Sequence, residues 1–464
     1  MSFLGFRLMA RSCPMPDFGQ DFYTDSHLIK SIMTFDNPSP GDLIEVKTKD
    51  RSFKGNYVPQ EGDAIFLKLA SGYNIGIDKK RIESISMIEK HEKKQEKETP
   101  AVEQKDDLPK ISILHTGGTI ASKVDYATGG VVARFTPEEL IEMFPEIQGI
   151  AKISSRLISN MWSEDMRFSH YNTIAEEIAK EIAAGATGVI VTQGTDTLHY
   201  TAAALSFVLD QLPIPVLIVG AQRSSDRGSS DAAVNVITAV SFMTQSDFSE
   251  VAVCMHKSMD DDTCYILPGT RCRKMHTSRR DTFKPIGVMP FAEVDFTSKN
   301  IKFFRTDYKK RSDDKLNIMP FKEDVKTALL KVHTNMHAFQ FEMFKGFDGL
   351  VIEGTGLGQA PVNVIDDKTE EHGKIFDALK SLNNGGTVLA MAPQTIYGRI
   401  SMNVYAPARR LKDECGIIGD GCDMPPETAF IKLSWLLSNY SKDEARELYA
   451  KDLRGELTNR TEPE

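Results

Sequence analysis

The sequence predicts an α/β protein: a two-domain α/β body with mainly parallel sheets, preceded by a small all-β barrel domain. Three observations support this fold class. Short alternating strands crowd residues 41–88, a charged segment with almost no apolar side chain follows, and strand-like and helix-like apolar patterns then alternate from residue 109 onwards. Such alternation is typical of α/β domains, whereas many short strands in few residues are typical of a small barrel.

The barrel is predicted from about five short strands separated by turn residues. Its first strand, residues 43–48, alternates apolar and polar side chains, which is the pattern of a half-buried strand. So many strands in so short a segment indicate a barrel of the SH3 or Sm size class. A barrel this small seldom carries chemistry, so we expect it to dock a partner or another domain.

Composition divides the chain into segments, because 464 residues are too many for one ordinary domain. Residues 89–108 offer almost nothing to bury and are therefore predicted to be an exposed linker. The full prediction is an N-terminal extension 1–40, the barrel 41–88, the charged linker 89–108, a first α/β domain 109–300, a second linker 301–325, a second α/β domain 326–440 and a tail 441–464.

Within the body, apolar β-branched runs predict strands and apolar residues four apart predict helices. The first α/β domain has such strand runs at 111–114, 189–191 and 215–219, and helical spacing at 174–182, 198–212 and 231–240. The second has strand runs at 329–332, 349–352 and 387–390, and a helix near 428–437. Because ligands bind at the carboxyl edge of parallel strands, the turns after these strands are candidate sites.

Charge and cysteine content argue against several classes of protein. The net charge of −9 and the isoelectric point near 5.7 disfavour a surface that binds nucleic acid throughout. No apolar run is long enough to cross a bilayer and the first residues make a poor secretory signal, so we expect a cytoplasmic protein without a membrane contact. The six cysteines form no C-x-x-C pair, so reduced thiols are expected rather than disulfides or a metal site.

Two strands end in glycine-threonine turns. Residues 110–122 read KISILHTGGTIAS, and the two glycines permit a tight turn that would present Thr119 to a ligand. A βα turn whose threonine caps the next segment explains this stretch equally well when it is taken alone. However, residues 187–200 repeat the arrangement as TGVIVTQGTDTLHY. Two such turns can bring two hydroxyls to one edge of a sheet.

Together, the TGGTIA and GTDT stretches resemble the signatures of the L-asparaginase/glutaminase family of amidohydrolases, over most of the chain. This resemblance implies an asparaginase-like body and a catalytic set carried over residue by residue. Thr119 would be the nucleophile that forms an acyl-enzyme. Thr195 and Lys274 would form the proton-handling pair, while Asp196 would hold the substrate ammonium or orient the lysine. The sequence leaves open which threonine attacks.

Lys274 lies in the basic run RCRKMHTSRRDTF at 271–283. On the residues alone, one cation of a surface loop is the preferred interpretation. A lysine that is desolvated or held among cations can nevertheless lose its proton and act as a base. The resemblance favours the base, because the family lysine precedes a Thr-Phe pair, as Lys274 precedes 282–283. Backbone amides in the two turns, at Gly118 and Gly194, would bind the oxyanion.

Ser163 and Glu164 stand where the family binds the α-carboxylate and α-amine of the substrate. Many asparaginases have glutamine at the position of Glu164, so this pocket is more negative. The family's loop tyrosine is also displaced, since Tyr126 lies earlier than expected and Val131 occupies its place. Either Tyr126 serves when the loop folds over the site, or the enzyme stays poorly active until something closes it. An ordinary loop difference is the alternative interpretation.

Three features resemble the glutamine-hydrolysing subunits of archaeal glutamyl-tRNA(Gln) amidotransferases: the barrel with its linker, residues 220–231 and residues 453–460. The resemblance implies a glutaminase that supplies ammonia to a partner, the E-type amidotransferase subunit, which converts Glu-tRNA(Gln) to Gln-tRNA(Gln). It implies no cofactor or metal in this chain, ATP and Mg in the partner, and Glu-tRNA(Gln) contacts made mainly through the partner. It also implies a homodimer within a heterotetramer. One alternative is a free cytoplasmic L-asparaginase with an accessory β domain. Another is a scaffold protein with an inactive body, but the intact catalytic set argues against it.

Overall fold

The computed structural model describes two compact units, an N-terminal β unit and a larger α/β body. The residues described are 38–60, 62–69, 74–91, 107–118, 120, 122–124, 131–133, 144–223 and 230–460, with the backbone alone for 74, 122–124 and 131–133. Two predicted site residues, Thr119 and Tyr126, lie outside this part of the chain.

The N-terminal unit is a five-stranded antiparallel sheet. Its strands are β1 (Leu43–Thr48), β2 (Ser52–Val58), β3 (Ala64–Leu69), β4 (Asn74–Asp78) and β5 (Ile82–Glu89). The order is β4-β3-β2-β1-β5, so the last strand returns to pair with the first. Ile44, Val46 and Leu67 are fully buried at the centre of its core. The prediction of a small all-β domain is confirmed.

The body alternates strands and helices, as the apolar patterns predict. Its strands in chain order are β6 (Lys110–His115), β7 (Ser122–Val124), β8 (Val131–Ala133), β9 (Lys152–Leu157), β10 (Gly188–Thr192), β11 (Leu209–Asp210), β12 (Val216–Val219), β13 (Val251–His256), β14 (Thr263–Pro268), β15 (Cys272–Lys274), β16 (Phe283–Pro285), β17 (Ala292–Asp295), β18 (Ile301–Phe303), β19 (Asn317–Ile318), β20 (Thr327–Lys331), β21 (Gly349–Gly354) and β22 (Val388–Pro393). The described α-helices are α1 (Phe168–Ala183), α2 (Leu198–Val208), α3 (Ala232–Gln245), α4 (Phe339–Glu342), α5 (Glu370–Asn384), α6 (Ala406–Asp413), α7 (Pro426–Asn439) and α8 (Lys442–Tyr449). Among the described residues, no helix combines the length and the apolar character that a bilayer crossing requires.

The main sheet has the order β18-β17-β14-β13-β12-β10-β6-β9. The five strands from β9 to β13 are parallel, whereas β14, β17 and β18 extend the sheet in antiparallel fashion. The chain leaves β6 for β9 on one side and later returns to β10 on the other. This reversal is a topological switch point, and the rule for open α/β sheets locates a ligand site there, beyond the carboxyl ends of the strands.

The central strands β10, β12 and β13 are buried on both faces, which explains their continuous apolar sequences. Ile174 and Ile178 of α1 lie one turn apart and pack with α2 on one face. Val236 and Val240 of α3 are buried on the other face. The rigid strands thus support the turns at their ends, which carry the candidate site.

The C-terminal domain is a parallel sheet, β20-β21-β22, covered by helices. Its α7 packs on α2 of the first domain, where the rings of Phe207 and Trp435 are 5.3 Å apart. One hydrophobic cluster therefore extends through both α/β domains, and each domain has a further cluster of its own. The segment predicted as the second linker contains β18 and β19, and β19 pairs with β11. The predicted α/β fold class, with a small all-β domain before the body, is confirmed by these sheets.

Candidate active site

The candidate site lies where β6 and β10 end side by side. His115, the last residue of β6, pairs in register with Thr192, the last residue of β10. Beyond them the two turns are bonded together, because Thr116 donates to the Thr192 carbonyl from both its backbone nitrogen and its Oγ1, each at 3.0 Å. The hydrogen bonds bring together the two turns that the sequence singles out.

Glycine is required for this contact. Gly117 and Gly118 have φ values of +116° and +87°, in the left-handed region that favours glycine. A Cβ atom on Gly118 would lie 2.5 Å from the Gly194 nitrogen, and one on Gly117 would lie 2.4 Å from the Met161 carbonyl oxygen. The first turn therefore approaches both the second turn and the segment before Ser163 more closely than any side chain would allow.

Three of the predicted catalytic residues meet at the second turn. Lys274 Nζ donates to Thr195 Oγ1 at 2.9 Å and to Asp196 Oδ1 at 2.7 Å. The lysine side chain is only 10% exposed, whereas that of Asp196 is 69% exposed. A largely desolvated amine thus bridges a buried hydroxyl and a carboxylate that faces solvent. Once neutral, such an amine can accept the proton of an attacking hydroxyl or of a hydroxyl that relays it.

Lys274 reaches Thr195 from a short ribbon formed by β15 and β16. In this ribbon Lys274 lies opposite Phe283, which is fully buried and anchors the second strand. The intervening loop is closed by Thr282 Oγ1, which accepts a hydrogen bond from the His276 nitrogen at 2.9 Å. The interval between Lys274 and the Thr-Phe pair at 282–283 is therefore explained by a hairpin in which Phe283 pairs with Lys274.

Ser163 and Glu164 begin a 3-10 turn beside the turn that follows β10. Ser163 is buried, and a Cβ atom on Gly194 would lie 3.3 Å from its Oγ. This Oγ donates to Glu164 Oε2 at 3.3 Å, while Glu164 itself is exposed. Thr197 Oγ1 donates to the Ser163 carbonyl and so fixes the turn to the start of α2. A hydroxyl and a carboxylate at this position are suited to the charged end of an amino acid.

The structure does not describe Thr119 or Tyr126, so their predicted roles as nucleophile and loop residue remain predictions. Gly118 and Gly194, the predicted sources of oxyanion-binding amides, lie in contact at the centre of the site. In the part of the chain that the structure describes, no group of three or more His, Cys, Asp or Glu side chains could hold a metal ion.

Sequence reasoning missed two residues at the strand ends. Gln193 is buried between β10 and Gly194, and its Oε1 has no hydrogen-bond partner among the described residues. His115 bridges three strands, with Nδ1 2.6 Å from Thr192 Oγ1 and Nε2 3.0 Å from Ser155 Oγ. Burial lowers the pKa of His115 to about 3, so the ring stays neutral. In the sequence, each of these two residues could have been recognised as a polar residue at or just after the end of an apolar strand.

A second group of ionisable residues was also missed, on the side of β15 that faces the C-terminal domain. Glu427 Oε1 lies 3.0 Å from Arg273 Nη2 and 4.0 Å from His199 Nε2. Burial lowers the pKa of His199 to about 3, with the cations Arg273 and Lys274 adding to the effect. Burial raises the pKa of Glu427, against the attraction of Arg273. No local sequence pattern links these residues, since they come from different elements.

Comparison with known proteins agrees with this geometry. Residues 110–309 match the asparaginase N-terminal family, residues 326–449 the glutaminase/asparaginase C-terminal domain and residues 39–88 the GatD N-terminal domain. The fold is similar to the thermostable L-asparaginase from Thermococcus kodakarensis, with a TM-score of 0.65 and 25% identity over 76% of this chain and 100% of that one. It is also similar to L-asparaginase I from Vibrio cholerae, with a TM-score of 0.63 and 25% identity over 76% of this chain and 99% of that one.

The similarity to curated relatives covers nearly the whole chain. The D-type subunit of glutamyl-tRNA(Gln) amidotransferase from Pyrococcus furiosus is 45% identical over 436 residues, which span 91% of this chain and 96% of that protein. The corresponding protein of Methanococcus maripaludis is 41% identical over 424 residues, 90% of this chain and 97% of that protein. The resemblance predicted from the sequence is confirmed. The chain belongs to the family of D-type glutamyl-tRNA(Gln) amidotransferase subunits, whose body is that of the asparaginase amidohydrolases.

Proposed function

We propose that this chain is the glutaminase subunit of a tRNA-dependent amidotransferase. It hydrolyses glutamine and supplies ammonia with which a partner subunit, using ATP, converts Glu-tRNA(Gln) to Gln-tRNA(Gln). The names of the amidotransferase relatives support the complex, and the asparaginase-type body supports hydrolysis of a carboxamide. The observation that carries the proposal is the contact of Lys274 Nζ with Thr195 Oγ1 at 2.9 Å, at the switch point of the sheet.

The proposed reaction proceeds through an acyl-enzyme. A threonine Oγ1, assigned to Thr119 by family resemblance, bonds to the carboxamide carbon of glutamine while its proton passes to the Thr195–Lys274 pair. The tetrahedral intermediate collapses when the carbon–nitrogen bond breaks, and the amide nitrogen takes up a proton and leaves as ammonia. Water then attacks the ester carbon, which releases glutamate and restores the threonine hydroxyl. Each step requires a base that can return its proton, and a neutral Lys274 is suited to that role.

The remaining residues would hold the substrate. Backbone amides of the Gly118 and Gly194 turns would stabilise the oxyanion of the intermediate, because amide donors in turns are already oriented when charge develops. The Ser163 hydroxyl would donate to the α-carboxylate of glutamine, and the Glu164 carboxylate would accept from its α-ammonium. Asp196, bonded to Lys274 at 2.7 Å, would orient the lysine or hold the substrate ammonium.

The test is glutamine hydrolysis by the purified chain, with and without the partner and Glu-tRNA(Gln). Thr119→Ala and Thr195→Ala should each abolish glutaminase activity while leaving the protein folded. Thr173→Ala is the matched control, since this threonine lies on the exposed side of α1 and donates to a carbonyl of its own helix. Near-normal turnover by either catalytic variant would show that the mechanism is wrong. A mass-spectrometric search for a trapped acyl adduct identifies which threonine attacks.

A free L-asparaginase is the second candidate, because the structural neighbours named above are L-asparaginases. Glutamine and asparagine differ by one methylene, which a pocket discriminates by only about 1–3 kcal/mol. Some asparaginase activity is therefore expected from a glutaminase of this family. The ratio of kcat/KM for the two amides, measured in the complex, decides between the candidates. A higher value for asparagine would favour the free asparaginase.

The proposed partners follow from the same reasoning. We expect the E-type amidotransferase subunit to bind this chain in a heterotetramer that contains a homodimer of it, with ATP and Mg bound by the partner. Glu-tRNA(Gln) would be contacted mainly through that partner, in the cytoplasm where charged tRNAs are used. Mass measurement of the purified complex and ATP binding to each protein separately test this assignment.

A further inference from the structure

The strand that carries Lys274 has little support of its own. β15 spans Cys272–Lys274 and pairs with the equally short β16. A two-stranded ribbon of this kind is at best marginally stable in water without packing against other elements. The position of Lys274 Nζ relative to Thr195 must therefore depend on contacts that lie outside the ribbon.

Those contacts come from the C-terminal domain. Arg271 Nη1 donates to Asp423 Oδ1 at 3.0 Å, and Arg273 Nη2 lies 3.0 Å from Glu427 Oε1. Alternate residues of a strand share a face, so Arg271 and Arg273 lie on the face opposite to that of Lys274. The catalytic lysine faces the first α/β domain, while its two neighbours hold the second.

The two carboxylates lie four residues apart where α7 begins. Glu427 is in the first turn of this helix, and Asp423 precedes it. Thr428, the next residue, donates from Oγ1 to the Thr270 carbonyl at 2.8 Å. Two arginine–carboxylate pairs and this hydrogen bond therefore fix both the position and the register of β15 against α7.

We propose that Arg273 and Glu427 are positioning residues, which hold Lys274 within hydrogen-bonding distance of Thr195. The inference rests on the proposed function, because it takes Lys274 as the base. Arg273 is next to the lysine in sequence, whereas Arg271 is three residues away, and the Arg273 side chain is 28% exposed while that of Glu427 is largely buried at 10%. Neutral His199 beside Glu427 does not compete with Arg273 for the carboxylate.

The pair can be removed with little change in volume. Arg273→Gln and Glu427→Gln should each lower kcat for glutamine by about 10- to 100-fold, the scale of loss expected when a catalytic group moves by up to an ångström. KM should stay within about twofold, because Arg273 and Glu427 meet on the face of β15 opposite to that of Lys274. The double variant should be no worse than either single variant, since the two residues act as one unit. Arg273→Lys, which keeps the charge, should recover part of kcat.

The control is another ion pair of the same domain that does not reach α7. Lys257 Nζ lies 2.8 Å from Glu293 Oε2, and Lys257→Gln should hydrolyse glutamine at the wild-type rate. Circular-dichroism melting of each variant separates positioning from loss of fold. If Arg273→Gln fails to fold, Glu427→Gln and Arg273→Lys carry the test.

The outcomes are distinguishable. Lys274→Arg is assayed in parallel, and wild-type turnover by that variant would overturn the proposed function itself. If Lys274→Arg is inactive but Arg273→Gln and Glu427→Gln retain wild-type kcat, the positioning inference is wrong and the proposed function stands. Additive losses in the double variant, or a fall in kcat matched by a fall in melting temperature, would equally overturn the positioning role.

Discussion

Gly118 is the residue at which the turn after β6 closely approaches the turn after β10. Its φ of +87° and the 2.5 Å approach of a would-be Cβ to the Gly194 nitrogen exclude a side chain. We expect Gly118→Ala to lose about 1–2 kcal/mol of stability to the left-handed conformation. Steric overlap with backbone should add about 1–3 kcal/mol. Glutaminase activity should be lost because the turns must separate. Denaturant unfolding and glutamine hydrolysis measure the two effects.

Gly421 provides the control for that prediction. Its φ of +88° is almost the same, but a Cβ atom there would meet nothing within 4 Å. Gly421→Ala should therefore show the conformational loss alone and keep its activity. Equal losses of stability in the two variants would mean that the contact between the turns is not what constrains Gly118.

His115 makes the stability of the body depend on pH. Its pKa falls from 6.5 in the unfolded chain to about 3 in the fold because it is buried, so the unfolded state binds the proton first. Its contribution is complete above pH 6.5 and is lost as the pH falls towards 3, by up to about 1.4 kcal/mol per pH unit. His115→Asn should lose part of this dependence. Urea unfolding of both proteins between about pH 7.5 and pH 5 tests this, and parallel curves would contradict it.

At the scale of elements, α7 joins the two α/β domains through Trp435. This side chain is 1% exposed, contacts Phe207 of α2 and donates from Nε1 to the Met319 carbonyl at 3.0 Å. Trp435→Ala should cost about 3–5 kcal/mol, the usual range for a buried aromatic. Trp435→Phe keeps a ring and should cost less. A loss below about 1 kcal/mol for the alanine variant, measured by denaturant unfolding, would show that the domains are held together elsewhere.

Long elements could be predicted from the sequence, and short ones could not. The apolar runs before the two turns are strands β6 and β10, and the spacing of Ile174 and Ile178 marks α1, because burial of a periodic face leaves a periodic pattern. Strands of two or three residues, such as β15 and β19, are too short to show any period. The Thr-Gly turns were visible because glycine was needed there. The pairing of Arg273 with Glu427 could not be predicted, because no local sequence pattern indicates a contact between two charged residues far apart in the chain.

The order of the strands was also beyond the sequence. No local sequence pattern indicates whether β9 or β10 is the neighbour of β6, and in the structure β6 lies between them. That order decides which turns meet. Lys274 lies on a separate ribbon, so its contact with Thr195 could be inferred only from family resemblance. Tertiary packing, not local propensity, sets the pairing of parallel strands.

At the scale of the whole molecule, we expect the glutaminase to be gated. The displaced loop tyrosine and the acidic Glu164 motivate this hypothesis. The isolated chain should hydrolyse glutamine slowly and gain at least about tenfold, or about 1.4 kcal/mol of barrier, when the partner and Glu-tRNA(Gln) are added. Steady-state ammonia release measures the change. Full activity of the isolated chain with saturating glutamine would disprove gating.

Removing residues 1–108 separates the role of the barrel from that of the body. The barrel and the body are separate compact units, so the truncated body should keep its basal rate. If the barrel docks the partner, stimulation by partner and Glu-tRNA(Gln) should disappear. Undiminished stimulation of the truncated chain would assign docking to the body instead.

The hydrogen bonds of the Arg271 guanidinium have a consequence for the synthesis of the protein. Its guanidinium is held by Asp423 and by the Glu456 carbonyl, the latter 185 residues further along the chain. Asp423 is in turn held by the backbone nitrogen of Thr458, 3.1 Å from its Oδ1. A ribosome synthesises Lys274 long before these residues, and contacts so distant in sequence close late because of their loop entropy. Nascent and prematurely terminated chains should therefore carry Lys274 on an unanchored ribbon, and we expect ammonia release to begin only once the body is complete.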